Sequence, residues 1–220
     1  MTSKHRGLRA GRPMANHRAR KARFLVITNG EVTEPEYFDG LERELKSTVI
    51  TVRHFREDPA KLAEEARDLK SKEEGHRRAG SVRDSDAFRR VFVVTDVDQF
   101  TSDQFQKAAR ICRGSGIELI ISNPCFEVWL IDHLSCCPES FTTASDVERK
   151  AHDLKIVKGS RDKHVDYPVI QGKWPDACNN ARRHNAPSRR QTRESLGSTS
   201  FGPWTDMPNL IGCVASEKSN

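Results

Sequence analysis

Two aspartates, Asp96 and Asp98, close the apolar run Val91-Phe92-Val93-Val94. In an extended chain, side chains two apart share a side and the one between turns away. The pair therefore converges at the mouth of a strand, with Val97 turned into the core. Two ionised carboxylates held that close repel each other, and a cation between them removes the repulsion. Hard oxygen donors beside a phosphate substrate suit Mg2+ or Mn2+. The same residues also suit a solvated turn or a helix N-cap, where Asp is common.

Two further acidic groups follow apolar runs. Phe24-Leu25-Val26-Ile27 leads into Thr28-Asn29-Gly30-Glu31-Val32-Thr33-Glu34, and Ile117 to Ile121 leads into Ser122-Asn123-Pro124-Cys125-Phe126-Glu127. Glu127 has Leu130, Ile131 and Leu134 at i+3, i+4 and i+7. A carboxylate on an apolar stripe breaks the binary pattern, as functional residues do. Its ordinary reading is an early-turn Glu favoured by the helix dipole.

The elements that position these groups alternate along the chain. A first strand over 24–27 precedes a helix starting near Thr33-Glu34-Pro35, with Thr33 as N-cap and Tyr37, Phe38, Leu41 and Leu45 at helical spacing. Val49 to Phe55 is β-branched and forms a second strand. Pro59 opens a second helix on Leu62, Ala63, Ala66 and Leu69, and the charged stretch 71–86 is expected to be a mobile loop. The strand ending in the Asp pair is third. A helix from about Ser102 to Arg113 follows, stopped by Gly114 and Gly116, and 117–121 is the fourth strand. Asn123 as cap and Pro124 as first residue signal the helix carrying Glu127. This alternation predicts an α/β fold with a mainly parallel four-stranded sheet flanked by helices, with ligands gathering at the carboxyl ends of the strands.

Beyond residue 135 helices are expected over 145–155 and 175–183, a loop over 186–203, and a last short helix containing Leu210, Ile211 and Val214. The expected organisation is a basic, disordered tail over 1–22, an α/β domain over 23–135, and a helical extension over 136–220 packed on the same domain. Lys158, Lys163, Lys173, Arg182 and Arg183 are cations that could approach a phosphate, although a solvated face is the ordinary home of each.

The net charge of +6 over 220 residues is unevenly distributed. Residues 1–23 hold eight Lys or Arg and no acid, which leaves 29 basic against 31 acidic residues in the body. The arm, with Arg18, Arg20, Lys21 and Arg23 nearest the first strand, could neutralise nucleic-acid phosphates, or serve as a solubilising leader. No run approaches the ~18 apolar residues of a membrane span, and the N-terminus lacks a signal-peptide stretch. A cytoplasmic location is therefore expected. The six cysteines form no CxxC and read as reduced, mostly buried thiols.

Three motifs in this order resemble the RloB-like family: residues 30–38, Asp96-Val97-Asp98, and Asn123-Pro124-Cys125-Phe126-Glu127-Val128-Trp129-Leu130. The resemblance runs from about residue 23 to 134 and more weakly to 214, where the segment containing Thr205 is similar to the family's closing motif. It implies a Toprim-like fold, in which an acidic residue after the first strand and an Asp-x-Asp after a later one hold Mg2+. It also implies nucleic-acid substrates, phage defence and, in some members, a partner ATPase in abortive infection. The family usually has Glu-Gly after the first strand. Here the pair is Asn29-Gly30, a neutral amide that could offer a carbonyl oxygen but could not act as a base.

The leading expectation is a metal-dependent nuclease acting on DNA or RNA. Asp96, Asp98, Glu34, Glu31 and Asn29 would hold Mg2+ or Mn2+, and Glu34, Asp96, Asp98 and Glu127 would carry catalysis. The alternative is a catalytically degenerate binding or regulatory subunit of an ATPase-containing defence complex, which Asn29 favours. An aspartyl-phosphate phosphatase is disfavoured, because the Asp pair follows the third strand and not the first.

Overall fold

The computed structural model describes residues 21–81, 83, 86–97, 100–159, 161, 163–185 and 202–216. Strands β1 (Ala22–Thr28), β2 (Thr48–His54), β3 (Phe88–Asp96) and β4 (Glu118–Asn123) run parallel, linked by helices α1 (Thr33–Leu45), α2 (Pro59–Arg78) and α3 (Ser102–Ser115). The fold is thus mixed α/β with a mostly parallel sheet flanked by helices. A fifth strand, described below, was not expected from the sequence.

Both faces of the sheet are covered because both parities of each strand are apolar. Phe24, Val26, Phe92 and Val94 join the core beneath α1, while Leu25, Ile27, Val91 and Val93 join a second core with Leu62, Ala63, Ala66, Ala108 and Cys112 of α2 and α3. Strand order is β2-β1-β3-β4, with the fifth strand, Trp204–Thr205, at the outer edge beside β4. The chain leaves β1 toward β2 on one side and leaves β3 toward β4 on the other. The crevice between β1 and β3 is therefore the point where ligands settle in such sheets.

Several boundaries differ from expectation, each for a local reason. The charged stretch 71–78 continues α2 instead of looping, because Lys, Glu and Arg are good helix formers and one Gly75 costs only ~1 kcal/mol. Arg78 pairs with Glu74 one turn back at 3.7 Å, and Asp58 caps the helix start through Ala60 N–H at 2.8 Å. Helix α3 passes Gly114 and ends at Gly116, whose φ of 60° suits a residue without Cβ.

Asn123 and Pro124 do not start a helix. They sit at the end of β4 and in the turn beyond it, and α4 (Glu127–Asp132) begins at Glu127 itself, after Phe126. Thr33 does not cap α1 either; it is the first helical residue, and its hydroxyl donates to Lys163 O at 2.9 Å.

The C-terminal part wraps one face of this sheet. It comprises α5 (Ala144–Asp153), the hairpin β5 (Val157–Lys158) and β6 (His164–Val165), α6 (Tyr167–Ile170), α7 (Trp174–His184), β7 (Trp204–Thr205) and α8 (Met207–Ala215). Val147, Ala151, Ala177, Ala181, Met207 and Leu210 bury in the same core as Tyr37, Phe38 and Trp129. Strand β7 adds antiparallel to β4, pairing Thr205 with Ser122, whose hydroxyls lie 2.8 Å apart. Two residues are too short a strand to show a period, so no strand is expected there from the sequence. Of the loop expected over 186–203, residues 186–201 lie outside the described residues.

Candidate functional site

The three acidic motifs meet at the carboxyl ends of β1, β3 and β4, which are neighbours in the sheet. There Asn29, Gly30, Glu34, Asp96, Phe126, Glu127 and Lys163 line a cavity of about 450 Å³, with Glu31, Val32, Thr33, Arg161 and His164 completing its wall.

The loop after β1 is tight. Thr28 Oγ1 donates to Gly30 O at 2.8 Å, and α1 begins three residues later, so Glu34 in its first turn folds back over the loop. A Cβ at position 30 would collide with the Glu34 carboxylate, which is why a glycine stands there. Glu34 is 5% exposed. Burial pushes its pKa up to about 7 and the nearby Glu127 carboxylate adds to the rise, while backbone N–H groups of Glu34 and Gly30, and Lys163, act against it.

Asp96 ends β3 half-buried, opposite Ser122 in register. The next residue, Val97, is 1% exposed in the core, held by its N–H to Ser122 O and Pro124 O, each at 3.1 Å. The inward turn of Val97 follows the expected alternation. Asp98 lies outside the described residues.

Glu127 stands in the first turn of α4 and is 4% exposed. Cys125, two residues before Glu127, is buried in the core. Burial, then the charges of Glu127 and Asp96, push its thiol pKa well up, which disfavours the reactive thiolate.

A cation faces these carboxylates from the C-terminal part. Lys163 Nζ lies 3.8 Å from Glu127 Oε1 and 2.9 Å from Glu148 Oε1. Burial would lower its pKa, but the two carboxylates outweigh burial and raise it. Lys163 is carried there because its hairpin docks along α1. Glu36 accepts from Val165 N–H at 2.8 Å and contacts His164 Nδ1 at 2.7 Å, and the Tyr167 hydroxyl donates to Glu44 at 2.9 Å. Lys163 was one of five cations singled out in the sequence; Arg161 and His164 were not, and no local spacing marks them.

Glu31 and Asn29 also border the cavity, in different states. Glu31 is exposed and pairs with Arg56, which holds its carboxyl below the usual range through a hydrogen bond. Asn29 borders the cavity, and its Oδ1 is buried with no hydrogen-bond partner. Such an oxygen is costly unless something donates to it or coordinates it. With Glu34, Asp96 and Glu127 it lines the cavity with hard oxygens, the donor type Mg2+ and Mn2+ take, although these three carboxylates do not bring donor atoms within 4.8 Å of one another.

Arg18 and Arg20 lie outside the described residues, and Lys21 is exposed. Arg23 is engaged at the opposite edge of the sheet. It lies over the Phe88 ring at 4.7 Å, 3.9 Å from Glu73, and donates to Asp86 O. A seven-residue strand puts about 20 Å between that edge and the cavity.

A second cluster of potential ligands lies between the end of α4 and the end of α7. Asp132, Cys136 and His184 each bring one donor atom within 4.8 Å of the others, and the group could hold a metal ion. The cysteine count alone did not reveal it, because its partners are an Asp four residues away and a His on another helix. None of the six cysteines is in a disulfide.

Among the described residues no helix is long and apolar enough to cross a membrane. No curated protein and no solved structure matches the chain. The motifs that converge on the cavity all fall within the stretch 24–213, which matches the model of a family described as RloB-like protein; the chain belongs to that family.

Proposed function

We propose that this RloB-like chain carries a Toprim-like, Mg2+- or Mn2+-dependent nuclease centre that hydrolyses phosphodiester bonds of DNA or RNA in defence against phage. The observation that carries the reading is the meeting of Asp96, Glu34 and Glu127, from three separate segments, in one cavity faced by Lys163. Asp96, Glu127 and Glu34, with the Asn29 amide oxygen and Asp98 from the motif, would hold the ion. When bound, the metal would supply Lewis-acid stabilisation of charge on a phosphoryl oxygen.

The chain's own groups divide the remaining work. Glu34, buried at the start of α1, would take a proton from an attacking water or return one to a leaving oxygen. Lys163 and the exposed Arg161 present positive charge at the cavity wall, where a phosphate must arrive. The basic arm, through Arg18, Arg20 and Lys21, would follow the nucleic-acid backbone outside the cavity. Arg23 is tied to Glu73 and Phe88 and contributes less.

Asn29 favours a second reading, in which the centre binds metal without cleaving and the chain serves as a subunit of an ATPase-containing defence complex. The deciding experiment incubates purified protein with DNA and RNA in Mg2+ or Mn2+, alone and with its partner ATPase. The nuclease reading expects cleavage that disappears with chelator and in Asp96→Ala. Calorimetric Mn2+ binding without cleavage of any substrate would favour the silent subunit. Loss of neither binding nor cleavage in Asp96→Ala would overturn the assignment of the cavity.

A further inference from the structure

The group formed by Asp132, Cys136 and His184 lies apart from the cavity. Asp132 is the last residue of α4, Cys136 follows in the chain beyond it, and His184 is the last residue of α7. Asp132 is wholly buried and His184 is 1% exposed. A carboxylate in such a place is destabilising unless charge and hydrogen bonds compensate it. Asp132 Oδ2 meets His184 Nε2 at 2.8 Å, Oδ1 accepts from Cys137 N–H at 3.0 Å, and its carbonyl accepts from Asn180 Nδ2 at 2.8 Å. Burial nevertheless keeps its pKa raised, although His184 and the Cys137 N–H act against the rise.

The imidazole is incompletely satisfied. His184 Nδ1 is buried with no hydrogen-bond partner. A protonated ring would therefore bury an N–H without acceptor, and a neutral ring leaves one nitrogen without its usual complement. A thiol stands beside this pair. Cys136 Sγ is half-buried and lies 3.7 Å from Asn180 O and 3.8 Å from Cys137 O, contacts at the weak end for sulfur.

We propose that Asp132, Cys136 and His184 bind a zinc-class transition-metal ion that clamps α4 to α7. Carboxylate, thiolate and imidazole are the donors that Zn2+ takes, whereas Mg2+ does not favour thiolate or imidazole. Zinc-to-donor lengths of about 2.0 to 2.3 Å in a tetrahedral arrangement imply donor separations of about 3.3 to 3.6 Å. The three donors already lie within 4.8 Å of one another, so closure of at most about 1.2 to 1.5 Å suffices at the Cys136 side, which follows the end of α4. The Asp132–His184 contact at 2.8 Å opens by about half an ångström to admit the ion. Binding releases the Cys136 thiol proton to solvent. Three protein donors leave one tetrahedral position for a water. The clamp would brace α4 from the end opposite Glu127, and it is independent of whether the cavity cleaves nucleic acid.

The test is a Co2+ titration of the metal-stripped full chain, read by absorption, in wild type and in the Asp96→Ala background. One equivalent of Co2+ should produce a thiolate-to-metal charge-transfer band with tetrahedral visible bands, both retained in Asp96→Ala and both displaced by Zn2+. Cys136→Ser, at a half-buried position where the fold should persist, should lose the charge-transfer band. Zn2+ should raise the wild-type Tm by several degrees and leave that of Cys136→Ser unchanged, a readout that does not depend on activity. Absence of the band at saturating Co2+, or its survival in Cys136→Ser, overturns the proposal. Loss of the band in Asp96→Ala would overturn it as well, by moving the metal to the cavity.

Discussion

The two ends of α4 hold two acidic groups that differ in everything except burial. Glu127 and Asp132 are 4% and 0% exposed and stand about 7.5 Å apart along one helix. Glu127 faces a cavity, and its counter-charge is Lys163, a side chain that is 44% exposed and shared with Glu148. Asp132 faces the core, and its partner is a fully buried imidazole on α7. A carboxylate beside an exchangeable ammonium can accept another cation without unfolding anything. One locked to a buried partner cannot lose that partner without leaving a charge in the core. The first arrangement suits a site that binds and releases, and the second suits a fixed joint between helices.

The largest contrast is expected on removing one side chain from each site. His184→Ala should cost about 3 to 5 kcal/mol, the range for orphaning a buried charge, measured as a shift of the urea midpoint. Asp96→Ala at the cavity should stay within about 1 kcal/mol of wild type. Equal costs would mean that the cavity carboxylates are as structural as Asp132. Gly30→Ala comes next. The added Cβ meets the Glu34 carboxylate, so Mn2+ affinity by calorimetry should fall about tenfold or more, with an overpacking cost of about 1 to 3 kcal/mol. Unchanged affinity would remove Glu34 from the ligand set.

The pH dependence sharpens the same contrast. Glu34 has a folded pKa of about 7 against an ordinary 4.5, so between these values the unfolded chain binds fewer protons. Its contribution to stability is full below about pH 4.5 and is lost as pH rises toward 7. Buried His133 slopes the other way. Burial pushes its pKa down from 6.5 to about 4, so its contribution is present above 6.5 and lost as pH falls toward 4. The readout is therefore the difference between wild type and Glu34→Gln in urea titrations, which should shrink in favour of wild type as pH falls from 7 to 4.5. A difference that is flat over this range would mean that Glu34 titrates normally. The smallest effect expected is that of Lys163→Met. Removing the resident ammonium should raise Mn2+ affinity a few-fold while changing stability by less than about 1 kcal/mol, since the ammonium is half-exposed and its contact with Glu127 is long at 3.8 Å. Weaker Mn2+ binding would make Lys163 a support for the carboxylates instead of their competitor.

Much of the sheet was legible because buried strands announce themselves locally. Val91 to Val94 and Phe24 to Ile27 are apolar on both parities, and both turn out to be buried on both faces. Asp96, Glu34 and Glu127 were legible for the complementary reason, as charges where an apolar run or stripe should continue. Other features had no local signature. Strand β7 is two residues long, and it exists because Thr205 pairs with Ser122 across 83 residues. Thr33 looked like a cap, yet its hydroxyl serves the hairpin that carries Lys163, 130 residues away. Pro124 looked like a helix start, but Val97 N–H takes its carbonyl and holds the segment in a turn. His184 gave no hint of Asp132, 52 residues upstream, because nothing in its own neighbourhood is acidic in phase with it.

The amino-acid order by itself determined the strand–helix alternation and which residue of each turn carries a charge, since period, propensity and capping act over a few residues. It also determined that acids follow the first, third and fourth strands. Only the tertiary structure decided that those three strand ends are adjacent, that a hairpin from the far end of the chain brings Lys163 over them, and that Asp132 meets His184. Contacts between distant segments depend on which faces pack and in what register, and no window of sequence contains that information.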